Sequence, residues 1–272
     1  MNLIEAIIIA IVEGLTEFLP ISSTAHMIFT SSFMGIGDDP FVKMFEVSIQ
    51  LGAILAVVVL YWRKFLNFKS FNFYIKLAIA VIPALVLGYL FDDAIEKVLE
   101  KPLPIAIMLV LGGIVFLFID RFFKNPEVHR EEDISIRKAF AVGVWQCLAM
   151  MPGTSRAAAS IIGGMQQKLS RKVAAEFSFF LAVPTMVAVT FYSIFLKGWN
   201  MNGVEMKGYE MILSSDQNLM VFLAGNIVAF VVALLAIKFF IGYLQKHGFR
   251  LFGWYRIVLG LILIALIFAG KL

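Results

Sequence analysis

The chain has one cysteine, Cys147, and three histidines among 272 residues. A disulfide within the chain and a cysteine-based zinc site are therefore excluded. Charge is scarce too: Asp, Glu, Lys and Arg make up 15% of the residues. No basic region precedes the first apolar run, and that run holds Glu5, Glu13 and Glu17. A cleavable leader is not expected from such a start. What remains is apolar: 61% of residues are hydrophobic and the mean hydropathy is +0.89. Soluble domains carry about 45–50% apolar residues. An all-α integral membrane protein is expected, built as one domain over residues 1–272. The net charge of +4 fits basic loops between spans, and nucleic acid is not expected as a partner.

A helix needs about 20 apolar residues to cross the hydrocarbon core. Six stretches meet this: 41–62, 74–91, 104–122, 173–196, 218–240 and 252–270. Two regions do not. Residues 3–19 carry three glutamates, then Pro20, then Ser22-Ser23-Thr24 and a short run to Phe33. Residues 139–151 are too short and stop at Pro152-Gly153, before Thr154-Ser155-Arg156 and a run of small residues. Each reads as two half-helices around a break. Broken backbone is tolerated at membrane depth only inside protein or beside water.

The distribution of basic residues favours re-entrant hairpins at both places. With hairpins, the loops near 63–76, 121–138, 165–172 and 238–256 share a face and hold 16 of the 23 Lys and Arg residues, against 6 on the other face. With full spans the division is 12 to 10, which gives no orientation. Positive loops face the cytoplasm. Both termini are then expected outside, with the first hairpin entering from the outside and the second from the cytoplasm.

An internal repeat points the same way. At an offset of 132 residues Pro20 falls on Pro152, Ser22 to Thr24 on Thr154 to Arg156, and Phe45 on Phe177. Repeats of about 1–120 and 134–272 in opposite orientation are expected. Inverted repeats with broken helices build binding sites at the bilayer midplane.

Ionisable groups at that depth are costly and mark function. Glu13 and Glu17 are four residues apart and share a helix face. They suit a divalent cation, or a base with a neighbour that tunes it. Ser22, Ser23 and Thr24 can cap the next half-helix, and one of them can be a nucleophile. His26 lies a turn beyond Ser23 and suits acid, base or nucleophile; His129 and His247 lie in basic loops. Arg156 must meet an anion, and its fork fits phosphate; an ion pair with Glu13 or Glu17 is compatible before substrate binds. Gly153, Thr154 and Ser155 add donors at a half-helix N-terminus. Together these describe an embedded site for an anionic lipid headgroup.

The segments E-G-L-T-E-F-L-P-I-S-S-T-A-H from Glu13 and P-G-T-S-R from Pro152 closely resemble the two signatures of the bacterial undecaprenyl-diphosphate phosphatases, the bacitracin-resistance type. The likeness spans essentially the whole chain. It implies a multi-pass inner-membrane hydrolase that removes the terminal phosphate of undecaprenyl diphosphate. The product, undecaprenyl phosphate, returns to peptidoglycan and envelope polymer synthesis. It implies a divalent cation, Mg²⁺ or Ca²⁺, at Glu13 and Glu17, and Glu13, Glu17, Ser23, His26 and Arg156 as catalytic residues. Gly153, Thr154, Ser155, Arg156, Ser22 and Thr24 are the implied phosphate-binding set. Ser23 is the first choice of nucleophile, with Glu17 or His26 taking its proton; His26 itself and water are rivals. Family members often carry a hydroxyl directly after the arginine, where this chain has Ala157. The site is expected to face the periplasm or cell exterior, and a homodimer is compatible with the chain. The alternative class is a transporter or flippase of an anionic prenyl lipid.

Overall fold

The computed structural model describes residues 1–67, 70–99, 101–201 and 203–272, without the side chains of residues 93, 96 and 245. Lys69, one of the basic loop residues counted above, lies outside them. The first half runs through α1 (Leu3–Thr16), α2 (Ser23–Phe33), α3 (Pro40–Ser48), α4 (Gln50–Leu60) and α5 (Trp62–Phe65). It continues with α6 (Phe71–Leu90), α7 (Asp92–Leu99) and α8 (Pro102–Phe122). The second half holds α9 (Ile136–Gln146), α10 (Arg156–Gln166) and α11 (Arg171–Phe191). After an antiparallel ribbon, β1 (Gly198–Met201) with β2 (Val204–Lys207), come α12 (Gly208–Leu213), α13 (Asp216–His247) and α14 (Arg250–Phe268).

Local chemistry sets several of these ends. Asn2 caps α1 in a reciprocal box with Glu5: its side chain accepts from Glu5 N, and the Glu5 carboxylate accepts from Asn2 N. Pro40 and Pro102 open α3 and α8, where a missing N–H costs nothing. Among the described residues, six helices are long and apolar enough to cross a membrane: Pro40–Leu60, α6, α8, Arg171–Leu196, Asp216–Leu244 and α14. They match the six stretches expected from the sequence. Their outer faces carry exposed Ile, Leu, Val and Phe, including Ile82 on α6, Ile114 on α8, Leu235 on α13 and Ile262 on α14. Such a coat suits lipid rather than water. The protein is a multi-pass membrane protein.

The helices pack in a pattern that recurs. The short pair α1–α2 sits against α13, and the short pair α9–α10 sits against α6. α4 packs on α13, and α11 packs on α6. α4 also meets α11, and α8 meets α14. Exchanging the first half for the second maps the first two pairs of contacts onto one another and the last two contacts onto themselves. One expectation changes: Arg256, grouped with the basic loops, lies inside α14 and is fully buried.

Both short pairs dock through glycine. A β-carbon at Gly14 would lie 2.7 Å from the Ala229 carbonyl oxygen on α13, and one at Gly143 would collide with the Ala80 backbone on α6. Forced atoms at such contacts cost about 1–3 kcal/mol. Gly143→Ala is therefore expected to lower the melting temperature of the detergent-solubilised protein. An unchanged melting curve would mean that the α6–α9 contact is looser than described.

Candidate active site

Each short pair turns at a residue with left-handed backbone. Ser22 has φ 73° and caps α2, its Oγ accepting from Ala25 N at 3.4 Å. Ser155 has φ 75° and caps α10, its Oγ accepting from Ala158 N at 3.2 Å. α2 spans Ser23–Phe33 and α10 spans Arg156–Gln166, so their starts and ends are each 133 residues apart. In the hairpins the correspondence thus lies one residue beyond the offset of 132: Ser22 matches Ser155, and Ser23 matches Arg156. The leading N–H groups of both helices, at Ser23 and Thr24 and at Arg156 and Ala157, have no carbonyl partner among the described residues. Such helix starts favour anions.

Glu17 joins the two pairs. Ser23 Oγ donates to Glu17 Oε2 at 2.5 Å. Arg156 Nη2 donates to Glu17 Oε1 at 2.7 Å. Two matched positions therefore hold the two oxygens of one carboxylate. Arg156 is steadied from behind: its Nη1 donates to the Ser178 carbonyl at 3.0 Å and to Ser178 Oγ at 3.3 Å. Ser160 Oγ donates to the Arg156 carbonyl at 2.8 Å and lies 2.6 Å from Ser178 Oγ. Nε of Arg156 is buried without a partner among the described residues. The guanidinium thus keeps a spare donor in a site where Glu17, Ser23 and Arg156 are all buried.

Glu17, Ser22, Ser23, Thr24, Gly153, Ser155 and Arg156 line one cavity of about 270 Å³, with Gln50, Gln146 and Thr185. Gln146 donates to Thr185 Oγ1 at 3.1 Å, and its own Oε1 has no partner among the described residues. Val47, Ala84, Ile95, Leu99 and Val189 line both this cavity and a second one of about 350 Å³. The second is walled mainly by apolar residues, with Tyr89, Tyr192 and Trp199. The two cavities therefore adjoin across a shared apolar wall, with Glu17, Ser23 and Arg156 gathered in the first.

Three of the residues singled out from the sequence do not line the cavity. Glu13 is fully buried one turn before Glu17, and among the described residues neither of its oxygens has a hydrogen-bond donor. Thr154 keeps Oγ1 buried and without a partner among the described residues, while its carbonyl accepts from Arg256. His26 turns toward α14. Its Nδ1 lies 2.7 Å from the Ser22 carbonyl, so that nitrogen carries the proton and donates. Nε2 then accepts from Tyr255 Oη at 2.8 Å, and the two rings stack at 5.7 Å. Both ring nitrogens are engaged away from Ser23.

Such a site suits an anion carried on an apolar body, and the fold around it is that of a multi-pass membrane protein. Over residues 6–262 the chain matches the family described as Bacitracin resistance protein BacA, and it belongs to that family. Among curated relatives, the undecaprenyl-diphosphatase of Flavobacterium psychrophilum is 52% identical over 271 residues, covering 98% of this chain and 97% of that one. The undecaprenyl-diphosphatase of Porphyromonas gingivalis strain ATCC 33277 is 47% identical over 287 residues, covering 99% and 98%. That of Bdellovibrio bacteriovorus is 45% identical over 272 residues, covering 99% and 98%.

Proposed function

We propose that this protein is an undecaprenyl-diphosphatase: it hydrolyses the terminal phosphate of undecaprenyl diphosphate. The products are undecaprenyl phosphate, reused in peptidoglycan and envelope polymer synthesis, and inorganic phosphate. The observation that carries the reading is the buried junction of Ser23, Glu17 and Arg156 at a cavity that adjoins an apolar one. The diphosphate occupies the cavity lined by Glu17, Ser23 and Arg156, and the first isoprene units lie along the adjoining apolar one.

Phosphoryl transfer asks mainly for positioning and for cationic stabilisation of the equatorial oxygens. Arg156 moves from Glu17 onto the terminal phosphate and is joined by the leading N–H groups of α2 and α10. Ser23 Oγ attacks the terminal phosphorus as Glu17 takes its proton. The anhydride P–O bond breaks, and undecaprenyl phosphate leaves with the proton passed on from Glu17. Water, deprotonated by the freed Glu17 carboxylate, then attacks the phosphoserine; the Ser23 Oγ–P bond breaks, Oγ takes that proton back from Glu17, and inorganic phosphate leaves. Glu17 is the base in this scheme because Ser23 already donates to it, while His26 is held by Tyr255 and the Ser22 carbonyl.

The family resemblance implies a divalent cation, and Glu13 suits one. Its two buried oxygens lack donors among the described residues, and hard cations take oxygen ligands with water and substrate phosphate completing the shell. Glu17 can add a lone pair, although both its oxygens already accept hydrogen bonds. No group of three His, Cys, Asp or Glu side chains stands ready for a metal among the described residues. Two carboxylates and the substrate would therefore share the cation, which when bound supplies charge neutralisation on the diphosphate. Phosphate release by purified protein in detergent tests the whole reading, since a carrier releases none. Activity is expected to vanish with chelator and return with Mg²⁺ or Ca²⁺. Glu13→Gln is expected to raise the cation concentration needed for half-maximal rate. Full activity in chelator would remove the cation from the scheme.

The short pairs are read as re-entrant hairpins of an inverted repeat. The mirrored packing of α1–α2 and α9–α10 supports this, as does the excess of basic residues on one face. The site then faces outward from the inner membrane, with both termini outside. Gly37→Cys in a Cys147→Ser background is expected to react with a membrane-impermeant thiol reagent added to intact spheroplasts. Reaction only after lysis would reverse the orientation.

A further inference from the structure

Arg256 is fully buried in α14 and makes no ion pair among the described residues. A lone buried cation is costly unless its donors are satisfied. Here they are satisfied by main chain alone. Nη1 donates to the carbonyls of Pro20 and Thr154, both at 3.0 Å. Nη2 donates to the carbonyls of Gly153 at 2.8 Å and Met108 at 3.2 Å. Nε reaches the Leu109 carbonyl at 3.4 Å. Five donors thus meet five carbonyls on three segments: the break before α2, the break before α10, and α8. A guanidinium is the side chain that offers five donors in one rigid plane.

These carbonyls sit beside the chemistry. Pro20 is three residues before Ser23, and Thr154 is two before Arg156. A trans peptide points its N–H opposite to its C=O. With the Thr154 carbonyl on Arg256, the Ser155 N–H is turned to the other side, and Ser155 lines the cavity. Gly112 on α8 leaves the slot for the guanidinium, because a β-carbon there would collide with Nη2.

We propose that Arg256 is a positioning residue for hydrolysis, holding Ser23 and Arg156 at reacting distance by tying together the backbones of the two breaks. This rests on the hydrolase reading above. Arg256 touches neither substrate nor nucleophile and acts only through the Pro20, Gly153 and Thr154 carbonyls.

The test compares wild type, Arg256→Lys, Arg256→Gln and Gly112→Ala, purified in detergent. Phosphate release is read as kcat and KM well below each melting temperature. Misplacing reacting groups by about 1 Å can cost about 100-fold in rate. The expected result is a kcat loss of about 10- to 100-fold in each variant with KM little changed. Arg256→Lys should retain more activity than Arg256→Gln, because it keeps three donors. Gly112→Ala displaces the guanidinium without deleting it, and the double variant with Arg256→Lys should be no slower than the slower single. Normal kcat in the folded fraction of the variants, with only the melting temperature lowered, would confine Arg256 to stability and overturn the proposal. Absence of phosphate release by the wild type would instead overturn the hydrolase reading.

Discussion

Arg156→Ala is expected to lower kcat by about 10³- to 10⁵-fold, the range measured for arginines that stabilise phosphoryl transfer. The size follows from its surroundings. Its guanidinium is buried, bound to Glu17 at 2.7 Å and braced by Ser178. Among the described residues, no other cationic side chain lines the cavity. At the burial of Arg156 bulk solvent screens charge weakly, so the lost stabilisation is not made up by solvent. The same substitution leaves Glu17 as a buried carboxylate without its cation, which costs about 3–5 kcal/mol of stability. Rates must therefore be taken per folded enzyme, on the monodisperse fraction from size exclusion. Arg156→Lys should fall between the two, since an ammonium keeps the charge but cannot span Ser178 and a phosphate as the fork does. A folded Arg156→Ala protein with near-normal turnover would remove the phosphate grip from the mechanism.

Ser23→Ala is expected to have an effect at least comparable in size, a loss of about 10⁴-fold or more in kcat, as for other enzymes deprived of their nucleophile. Stability should change by only about 1.5–3 kcal/mol, the worth of one hydrogen bond to a charged group. Ser22→Ala separates the roles of the neighbouring hydroxyls. It removes the α2 cap, at about 1 kcal/mol, and leaves the Ser23–Glu17 contact in place. Acid quench of the wild type during turnover should trap phosphoserine at position 23, and none should form in Ser23→Ala. No trapped species in the wild type, with solvent oxygen entering phosphate in one turnover, would favour direct attack by water. Phosphohistidine at His26 would require the His26–Tyr255 contact to open before chemistry.

The sequence pointed to Glu17, Ser23 and Arg156 because an ionisable or nucleophilic group in an apolar stretch stands out against its surroundings. Ser160 and Ser178 did not stand out in the same way. A hydroxyl on an apolar helix commonly bonds its own backbone, and Ser160 does so as well as meeting Ser178. Arg256 was hidden by position, six residues after Arg250 and beside a basic loop. The depth argument used for Arg156 applies to it equally, and the apolar run from 257 onward was the available signal. His26 shows the opposite difficulty. Its spacing from Ser23 is compatible with contact, but side-chain rotation turns the ring to Tyr255. The hairpin correspondence also needed coordinates, because Ser22-Ser23-Thr24 aligns plausibly with Thr154-Ser155-Arg156 or with Ser155-Arg156-Ala157. Backbone φ at Ser22 and Ser155 decides for the second.

By itself the sequence determined the solvent and the elements. Apolar runs of spanning length, two broken segments and a few ionisable groups follow from composition and order along the chain. Glu13 to His26 and Pro152 to Arg156 were visible as two polar islands. Only the tertiary structure decided that they meet on one carboxylate, with Ser23 and Arg156 on its two oxygens and Arg256 tying their backbones behind. The physical reason is separation. Arg156 and Glu17 are 139 residues apart, and no local propensity encodes a hydrogen bond across that distance. It arises when α1–α2 packs on α13, α9–α10 packs on α6, and α14 closes on α8.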